Sequence, residues 1–211
     1  MSASPRRALV VIDVQNEYVS GDLPIEYPDV QTSLANIGRA MDAARAAGVP
    51  VVVVQQVAPA TSPLFARGST GGELHQVVAS RERDHFVEKA LPSAFGQTDL
   101  ADWLAGRGID TLTIVGYMTH NCDASTAFEA MHRGLKVEFL VDATGSVPYG
   151  NEAGFASAEE IHRVFSIVMQ SRFAAVVTTD AWLAAVEAGA PLAGSNIYVS
   201  NQKARATRAV A

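Results

Sequence analysis

The chain has 211 residues, of which 48% are hydrophobic and 18% are charged, and this composition excludes a disordered tail, a collagen-like repeat and a coiled coil. A net charge of −6 argues against nucleic acid as a partner, because nucleic-acid binders usually present a basic patch. We expect one domain spanning residues 1–211, since a chain of this length buries a single continuous core.

The N-terminal segment and the cysteine count indicate a cellular compartment. The first apolar run ends at Asp13, too early for the core of a signal peptide or for a membrane span. The single cysteine, Cys122, cannot form an intrachain disulfide, which fits a reducing environment. We therefore expect a cytoplasmic protein that does not interact with membranes.

Aliphatic runs recur along the chain and are separated by stretches whose apolar residues have helical spacing. Runs without polar alternation are typical of strands buried on both faces. The predicted strands are residues 8–12, 49–54, 85–87, 112–115, 137–141 and 174–178. The predicted helices are residues 33–47, 98–108, 122–133 and 158–170. This alternation predicts an α/β fold, a parallel sheet covered by helices on both faces.

Three segments depart from this alternation. Residues 58–72 and 144–154 lack periodicity, and we expect long loops of the kind that often form lids or binding loops. From about residue 194 the chain is polar and carries Lys203, Arg205 and Arg208. This end predicts either a frayed tail or an arm that contacts a neighbouring subunit.

Three reactive residues follow predicted strands. Asp13 closes the first strand, Lys89 follows the short strand, and Cys122 lies just beyond the strand that ends at Val115. Ligands of open parallel sheets collect at the carboxyl ends of the strands, so an acid, an ammonium group and a thiol are expected to meet there. Asp13 would accept the thiol proton and Lys89 would favour the thiolate.

Each of these residues also has a structural interpretation. A lone cysteine is often a small buried hydrophobe, an aspartate after a strand often closes a turn, and a lysine is usually solvated.

Cys122 is also predicted to begin a helix, capped by Asn121 or Thr119. The N-terminus of that helix would favour the thiolate anion and offer backbone N–H groups to an oxyanion.

Three motifs resemble the isochorismatase-like cysteine hydrolases. They are DVQNEY at residues 13–18, KALPSAF at 89–95 and GYMTHNC at 116–122, and the resemblance runs from about residue 8 to 180. It implies a three-layer αβα fold with a six-stranded parallel sheet and a catalytic triad of Asp13, Lys89 and Cys122. It also implies a cis peptide between Tyr117 and Met118, and an oxyanion hole made by the backbone N–H groups of Met118 and Cys122.

Two departures from the family pattern bear on the reaction. The nicotinamidase branch binds a divalent metal through histidines after the second strand, whereas residues 55–60 here read QQVAPA, so we expect neither a metal nor another cofactor. Asp123 follows the nucleophile where the family usually has an aliphatic residue, and it is expected either to alter the local electrostatics or to cap a helix.

The retained thiol favours cleavage of a C–N bond of amide type in a small molecule. Vinyl ether cleavage, with Asp13 as general acid and Cys122 dispensable, is the enzymatic alternative. A non-catalytic binding subunit is a third possibility. The resemblance also implies a homo-oligomer, a dimer or larger.

Polar and aromatic residues near the motifs are candidates for the substrate pocket, since such sites combine aromatic walls with few polar groups. The candidates are Asn16, Tyr18, Phe65, Tyr117 and His120. Asn16 either orients Asp13 or forms a turn, and Arg67 either binds a substrate carboxylate or is a solvated surface residue. The remaining histidines lack metal-ligand spacing and are interpreted as surface or packing residues; they are His75, His85, His132 and His162.

Overall fold

The computed structural model describes residues 4–208 and has a six-stranded parallel sheet between two layers of helices. This architecture confirms the predicted α/β fold. The strands of the sheet are β1 (Arg7–Ile12), β2 (Val51–Gln56), β3 (His85–Lys89), β4 (Thr111–Tyr117), β5 (Lys136–Gly145) and β8 (Ala175–Val177). The helices are α1 (Glu17–Ser20), α2 (Val30–Ala46), α3 (Gln76–Ala79), α4 (Leu100–Gly106), α5 (Ala124–His132), α6 (Ala158–Val168), α7 (Thr179–Glu187) and α8 (Ile197–Arg208).

The strand order is β3-β2-β1-β4-β5-β8, with every neighbouring pair parallel. The chain first moves outward from β1 to β3 and then returns to place β4 on the other side of β1. The order therefore reverses between β1 and β4, and the carboxyl ends of these two strands form the crevice where ligands bind in such sheets.

Each face of the sheet has its own hydrophobic core. Successive residues of β1 belong alternately to the two cores. Val10 and Ile12 lie in one core, and Leu9 and Val11 lie in the other. All six residues of β1 are buried, as expected for a central strand covered on both faces.

The predicted elements exist, but several of their boundaries were wrong. Helix α2 begins at Val30 and not at residue 33, because the Asp29 side chain accepts a hydrogen bond from the Thr32 backbone N–H and caps the helix there. Strand β5 continues to Gly145, beyond the aliphatic run, because its later residues still pair with β4. A π-helical turn, Met169–Phe173, replaces the predicted end of α6.

Two segments predicted to be irregular contain regular structure. Residues 144–154 hold the end of β5 and most of an antiparallel hairpin of β6 (Tyr149–Asn151) and β7 (Gly154–Ala156). The polar C-terminal segment forms helix α8, which lacks the apolar stripe that would have predicted it. Residues 209–211 of the predicted tail lie outside the described residues. The long loop at residues 58–72 has neither helix nor strand, as predicted.

A buried ion pair connects strand β1 to strand β5. The Arg7 guanidinium donates to the Glu138 carboxylate on β5, with the shortest contact 2.8 Å, and both side chains are 3% exposed. Glu138 also accepts from the Trp182 indole at 2.9 Å and from the Thr113 hydroxyl at 2.9 Å. Such a network is stabilising only while every member keeps its partners.

Within residues 4–208, no helix is both long and apolar enough to cross a bilayer. The homo-oligomer and the cytoplasmic location stay predictions.

Candidate active site

Three strand ends bring the predicted triad together. Asp13 directly follows β1, Lys89 is the last residue of β3, and Cys122 lies in the turn after β4. The Lys89 ammonium nitrogen is 2.7 Å from Asp13 Oδ2 and 3.3 Å from Cys122 Sγ, and all three residues are buried. One cation therefore contacts both the acid and the thiol.

Strand β2 lies between β3 and β1 and supplies a further contact. The Lys89 ammonium donates to Gln56 Oε1 at 2.8 Å, so three acceptors hold it in place. The buried Gln15 side chain exchanges two hydrogen bonds with the Gln56 backbone and donates to the Gly72 carbonyl, which ties the long loop to the strand ends. Sequence reasoning assigned no role to Gln15 or Gln56. The available signal was the pair of polar residues, Gln55 and Gln56, that ends the apolar strand β2.

The backbone around Asp13 is tightly constrained. Asp13 has a φ of 50°, in the left-handed region that few residues other than glycine adopt. Gly116 on β4 has a φ of 119°, and a Cβ there would collide with the Ile12 carbonyl oxygen. Only glycine allows β4 to approach β1 this closely beside Asp13.

Burial controls the protonation of the site. It raises the pKa of Asp13, while the Lys89 charge opposes this effect. Burial and the nearby Asp13 charge also raise the pKa of the Cys122 thiol, which is therefore protonated at neutral pH. Burial lowers the pKa of Lys89, but its interactions with Asp13 and Cys122 outweigh this effect and keep the ammonium form. The resting site thus holds an ion pair beside a neutral thiol.

Neither Asp13 oxygen receives an aligned hydrogen bond from the described residues, although the ammonium group is in contact. Lone pairs therefore remain available for a proton. The thiol lies close enough to this carboxylate to lower the pKa of Asp13 and to raise that of Cys122, so the two groups are within proton-transfer reach.

Cys122 lies in a π-helical turn, Thr119–Asp123, and not at the start of an α-helix as predicted. Helix α5 begins only at Ala124, and neither Thr119 nor Asn121 caps it with its side chain. Thr119 instead pairs with His162 Nδ1 on α6, with the two atoms 2.8 Å apart. The structure has a cis peptide bond between Tyr117 and Met118, directly before this turn.

His162 supports the turn that carries Cys122, and the sequence interpretation of it as a surface or packing residue missed this contact. It is 4% exposed, and burial lowers its pKa to about 4, against a Val141 backbone hydrogen bond that raises it. The folded protein therefore holds His162 in its neutral form at pH 7.

We expect acid to destabilise the protein through His162. Above the unfolded value of 6.5 both states hold neutral imidazole, but between pH 6.5 and about 4 the unfolded state alone binds the proton. The shift corresponds to a loss of roughly 3 kcal/mol of unfolding free energy on full acidification. Urea unfolding at pH 7 and pH 5 measures the part lost in that window, roughly 2 kcal/mol. Burial lowers the pKa of His120 to a similar value, so His162→Gln should reduce the dependence without abolishing it, and an unchanged slope in that variant would refute the assignment.

The three aromatic candidates for the substrate pocket lie together but differ in burial. Tyr18 contacts Phe65 and Tyr117, with ring centroids 5.1 and 5.5 Å apart, so these rings form one cluster next to the site. Tyr117 is fully buried and its hydroxyl lies 2.7 Å from Ser33 Oγ on α2. Its side chain therefore belongs to the core, whereas Phe65, on the long loop with a φ of 54°, is only partly buried.

His120 lies in the same turn as Cys122. Its Nδ1 is 3.1 Å from Ser146 Oγ, and its ring packs edge-on against Tyr149 of the β6–β7 hairpin at 4.9 Å. Burial lowers its pKa to about 4, so the ring is neutral. Its Nε2 is buried and has no hydrogen-bond partner among the described residues.

Two candidates make other contacts. The Asn16 side chain donates to the Thr70 carbonyl at 3.0 Å and so ties down the long loop; this contact supports the turn interpretation over the orientation of Asp13. Arg67 is 60% exposed and forms a two-pronged pair with Glu88, which supports the surface interpretation.

Asp123 is wholly buried and neither carboxylate oxygen has a hydrogen-bond partner in the described structure. It stands at the N-cap position of α5 but forms no capping hydrogen bond, so the capping interpretation was wrong. Burial and the Asp13 charge raise its pKa well above the ordinary value. Among residues 4–208, no group of three or more histidine, cysteine or acidic residues is placed to hold a metal ion.

Comparisons with known proteins agree with this fold. A model of the isochorismatase domain matches residues 7–181. A secreted isochorismatase effector from Verticillium dahliae is 33% identical over 78% of this chain and 87% of its own length. A ureidoacrylate amidohydrolase from Methylobacterium radiotolerans is 30% identical over 88% of this chain and 84% of its own length.

A crystal structure from Burkholderia xenovorans LB400, described as an isochorismatase, shares 77% identity and a TM-score of 0.97, covering 98% of this chain and 100% of that one. The chain is therefore a hydrolase of α/β fold, and its candidate site lies at the switch point of a parallel sheet. The chain belongs to the isochorismatase family, which confirms the resemblance seen in its motifs.

Proposed function

We propose that this protein hydrolyses a C–N bond of amide type in a small molecule, through a thioester on Cys122. The observation that carries the proposal is the placement of one buried ammonium, Lys89, in contact with both Asp13 and the thiol. A cysteine with a purely structural role needs neither an ammonium group nor a carboxylate beside it. A buried ion pair is costly to form, so its position against the thiol is better explained by chemistry than by stability.

The first half of the reaction forms the thioester. Asp13 accepts the thiol proton, and the sulfur of Cys122 attacks the substrate carbonyl carbon. The C–N bond then breaks, and Asp13 returns the proton to the departing nitrogen. In the second half, Asp13 takes a proton from water, whose oxygen attacks the thioester carbonyl. The acid product leaves and the thiol regains its proton, while Lys89 keeps its charge throughout.

The developing oxyanion needs hydrogen-bond donors. We assign this role to the backbone N–H groups of Met118 and Cys122. Met118 directly precedes the π-helical turn and Cys122 lies within it, so both N–H groups are close to the attacking sulfur. Donors held rigidly in a buried site stabilise a developing charge more than water does.

The relatives leave two reactions to compare. The name of the ureidoacrylate amidohydrolase relative supports amide cleavage, and that of the isochorismatase effector supports vinyl ether cleavage. The two differ in their need for the thiol, since protonation by Asp13 alone suffices for the ether.

Replacement of Cys122 by alanine separates them. We expect the wild type to release ammonia from members of a panel that contains nicotinamide, ureido compounds, oxamate, dicarboxamides and lactams, and the variant to lose at least about 10⁴-fold in kcat/KM. Iodoacetamide treatment of the wild type is a matched control, because Cys122 is the chain's single cysteine. Full activity in the alanine variant would contradict the thioester mechanism, and so would a wild type that cleaves none of these compounds.

A further inference from the structure

Asp123 and His120 are the unexplained polar residues of the site. Both lie in the turn that carries the nucleophile, on either side of Cys122 in sequence. The mechanism uses neither of them. The carboxyl of Asp123 and the Nε2 of His120 are buried and lack hydrogen-bond partners among the described residues. A buried polar group without a partner costs free energy, so each is expected to meet a partner in the functional state.

The surroundings of Asp123 indicate where its carboxyl lies. Its charge would raise the pKa of Tyr18, and the Asp13 charge raises the pKa of Asp123 itself. Asp123, Asp13 and Tyr18 are all buried, and these couplings are consistent with one shared buried region. Asp123 is the next residue to Cys122 in the turn, and we infer that a substrate held at the sulfur reaches its unpartnered carboxyl.

The number of charged groups near Asp123 determines whether its carboxyl is ionised. Within residues 4–208, Lys89 is the one ammonium in contact with the thiol, and Asp13 already neutralises it. A second carboxylate in this buried space would have no counter-ion. Asp123 is therefore a neutral carboxylic acid at pH 7, with one O–H to donate and one carbonyl oxygen to accept.

We propose that Asp123 is a substrate-binding residue whose neutral carboxyl pairs with an uncharged amide or ureido group next to the scissile carbonyl. The acid O–H donates to the amide oxygen and the acid carbonyl accepts an amide N–H, so one planar group satisfies both of its unpartnered oxygens. This inference rests on the proposed function and names the substrate class, a small molecule with a second neutral amide beside the one that is cleaved.

The pairing disfavours the corresponding half-acids. A carboxylate in place of the second amide would bring another negative charge next to Asp13 and would offer no N–H to Asp123. The matched compounds are oxamide, malonamide and succinamide against oxamate, malonamate and succinamate. We expect at least one diamide to bind about tenfold or more tightly than its half-acid.

Binding is measured by calorimetry in a Cys122→Ala background, which keeps the ligand intact. Asp123→Leu should weaken binding of the preferred diamide at least about tenfold, and Asp123→Asn, which still donates and accepts, should change it less than about threefold. Asp102→Leu, at an exposed position of α4, is the matched control. In the Cys122 enzyme, the same leucine variant of Asp123 should raise KM more than it lowers kcat and leave iodoacetamide labelling of the thiol unchanged.

The outcomes are distinct. Equal diamide binding with and without the Asp123→Leu substitution would overturn the inference, as would a loss in Asp123→Asn as large as that in Asp123→Leu. No binding of any diamide, or tighter binding of the half-acids, would overturn it too. Diamide binding that depends on Asp123, without ammonia release by the Cys122 enzyme, would leave the binding role standing and would refute the proposed reaction alone.

Discussion

Asp13→Asn is expected to lower kcat/KM for an amide substrate by at least about a thousandfold, because the amide cannot accept the thiol proton. Asparagine keeps the size of the side chain, so the space around Cys122 is unchanged. The labelling of the thiol should respond in the opposite direction. Asp13 raises the pKa of Cys122 and Lys89 lowers it, so loss of the carboxylate should speed reaction with iodoacetamide at neutral pH.

The double variant Asp13→Asn with Lys89→Met tests whether lost activity reflects lost chemistry or lost folding. The single substitution leaves a buried ammonium without its counter-ion, at a cost of about 3 to 5 kcal/mol of unfolding free energy. Removal of both charges should restore much of that stability and none of the activity. Urea unfolding and ammonia release measure the two effects. Turnover near the wild-type value in Asp13→Asn would refute the assignment of the general base.

Arg7→Leu is expected to lower the free energy of unfolding by about 3 to 5 kcal/mol, since it leaves the buried Glu138 carboxylate without a counter-ion. The double variant with Glu138→Gln removes that charge and should recover part of the loss. Urea unfolding measures both.

Arg6→Leu is the matched control, one residue earlier in the chain. Its ion pair with Asp110 has side chains 66% and 45% exposed, so the expected loss is below about 1 kcal/mol. Equal losses at the two positions would contradict the central role of the Arg7–Glu138 pair.

The predicted fold followed from local features. An uninterrupted aliphatic run such as that in β1 is stable only when both faces are covered, and this requirement alone predicts a parallel sheet between helices. The triad followed from the same rule, because Asp13 and Lys89 stand at strand ends and parallel strands end at one edge. The same rule grouped Cys122 with them, because it lies just beyond a third strand, and the motif resemblance then identified the three as a catalytic triad. No local pattern indicated that Cys122 lies in a π-helical turn.

Local patterns failed where distant parts of the chain satisfy a polar group. His162 has the sequence context of a surface helix, but it contacts Thr119 across the fold. Gln56 ends an ordinary strand, and only the packing of β3 beside β2 brings Lys89 to it. The β6–β7 hairpin was predicted as a loop because its strands are too short to show alternation.

The sequence by itself determined the sheet, its class and the three reactive residues, because strand burial and strand ends are encoded by neighbours in the chain. The tertiary structure alone decided their electrostatics. Burial raises the pKa values of Asp13, Cys122 and Asp123 against the opposing charge of Lys89, and burial depends on which distant groups exclude water. Desolvation is a property of the packed protein, so no local pattern could show that Asp123 lies buried next to Cys122 without a partner among the described residues.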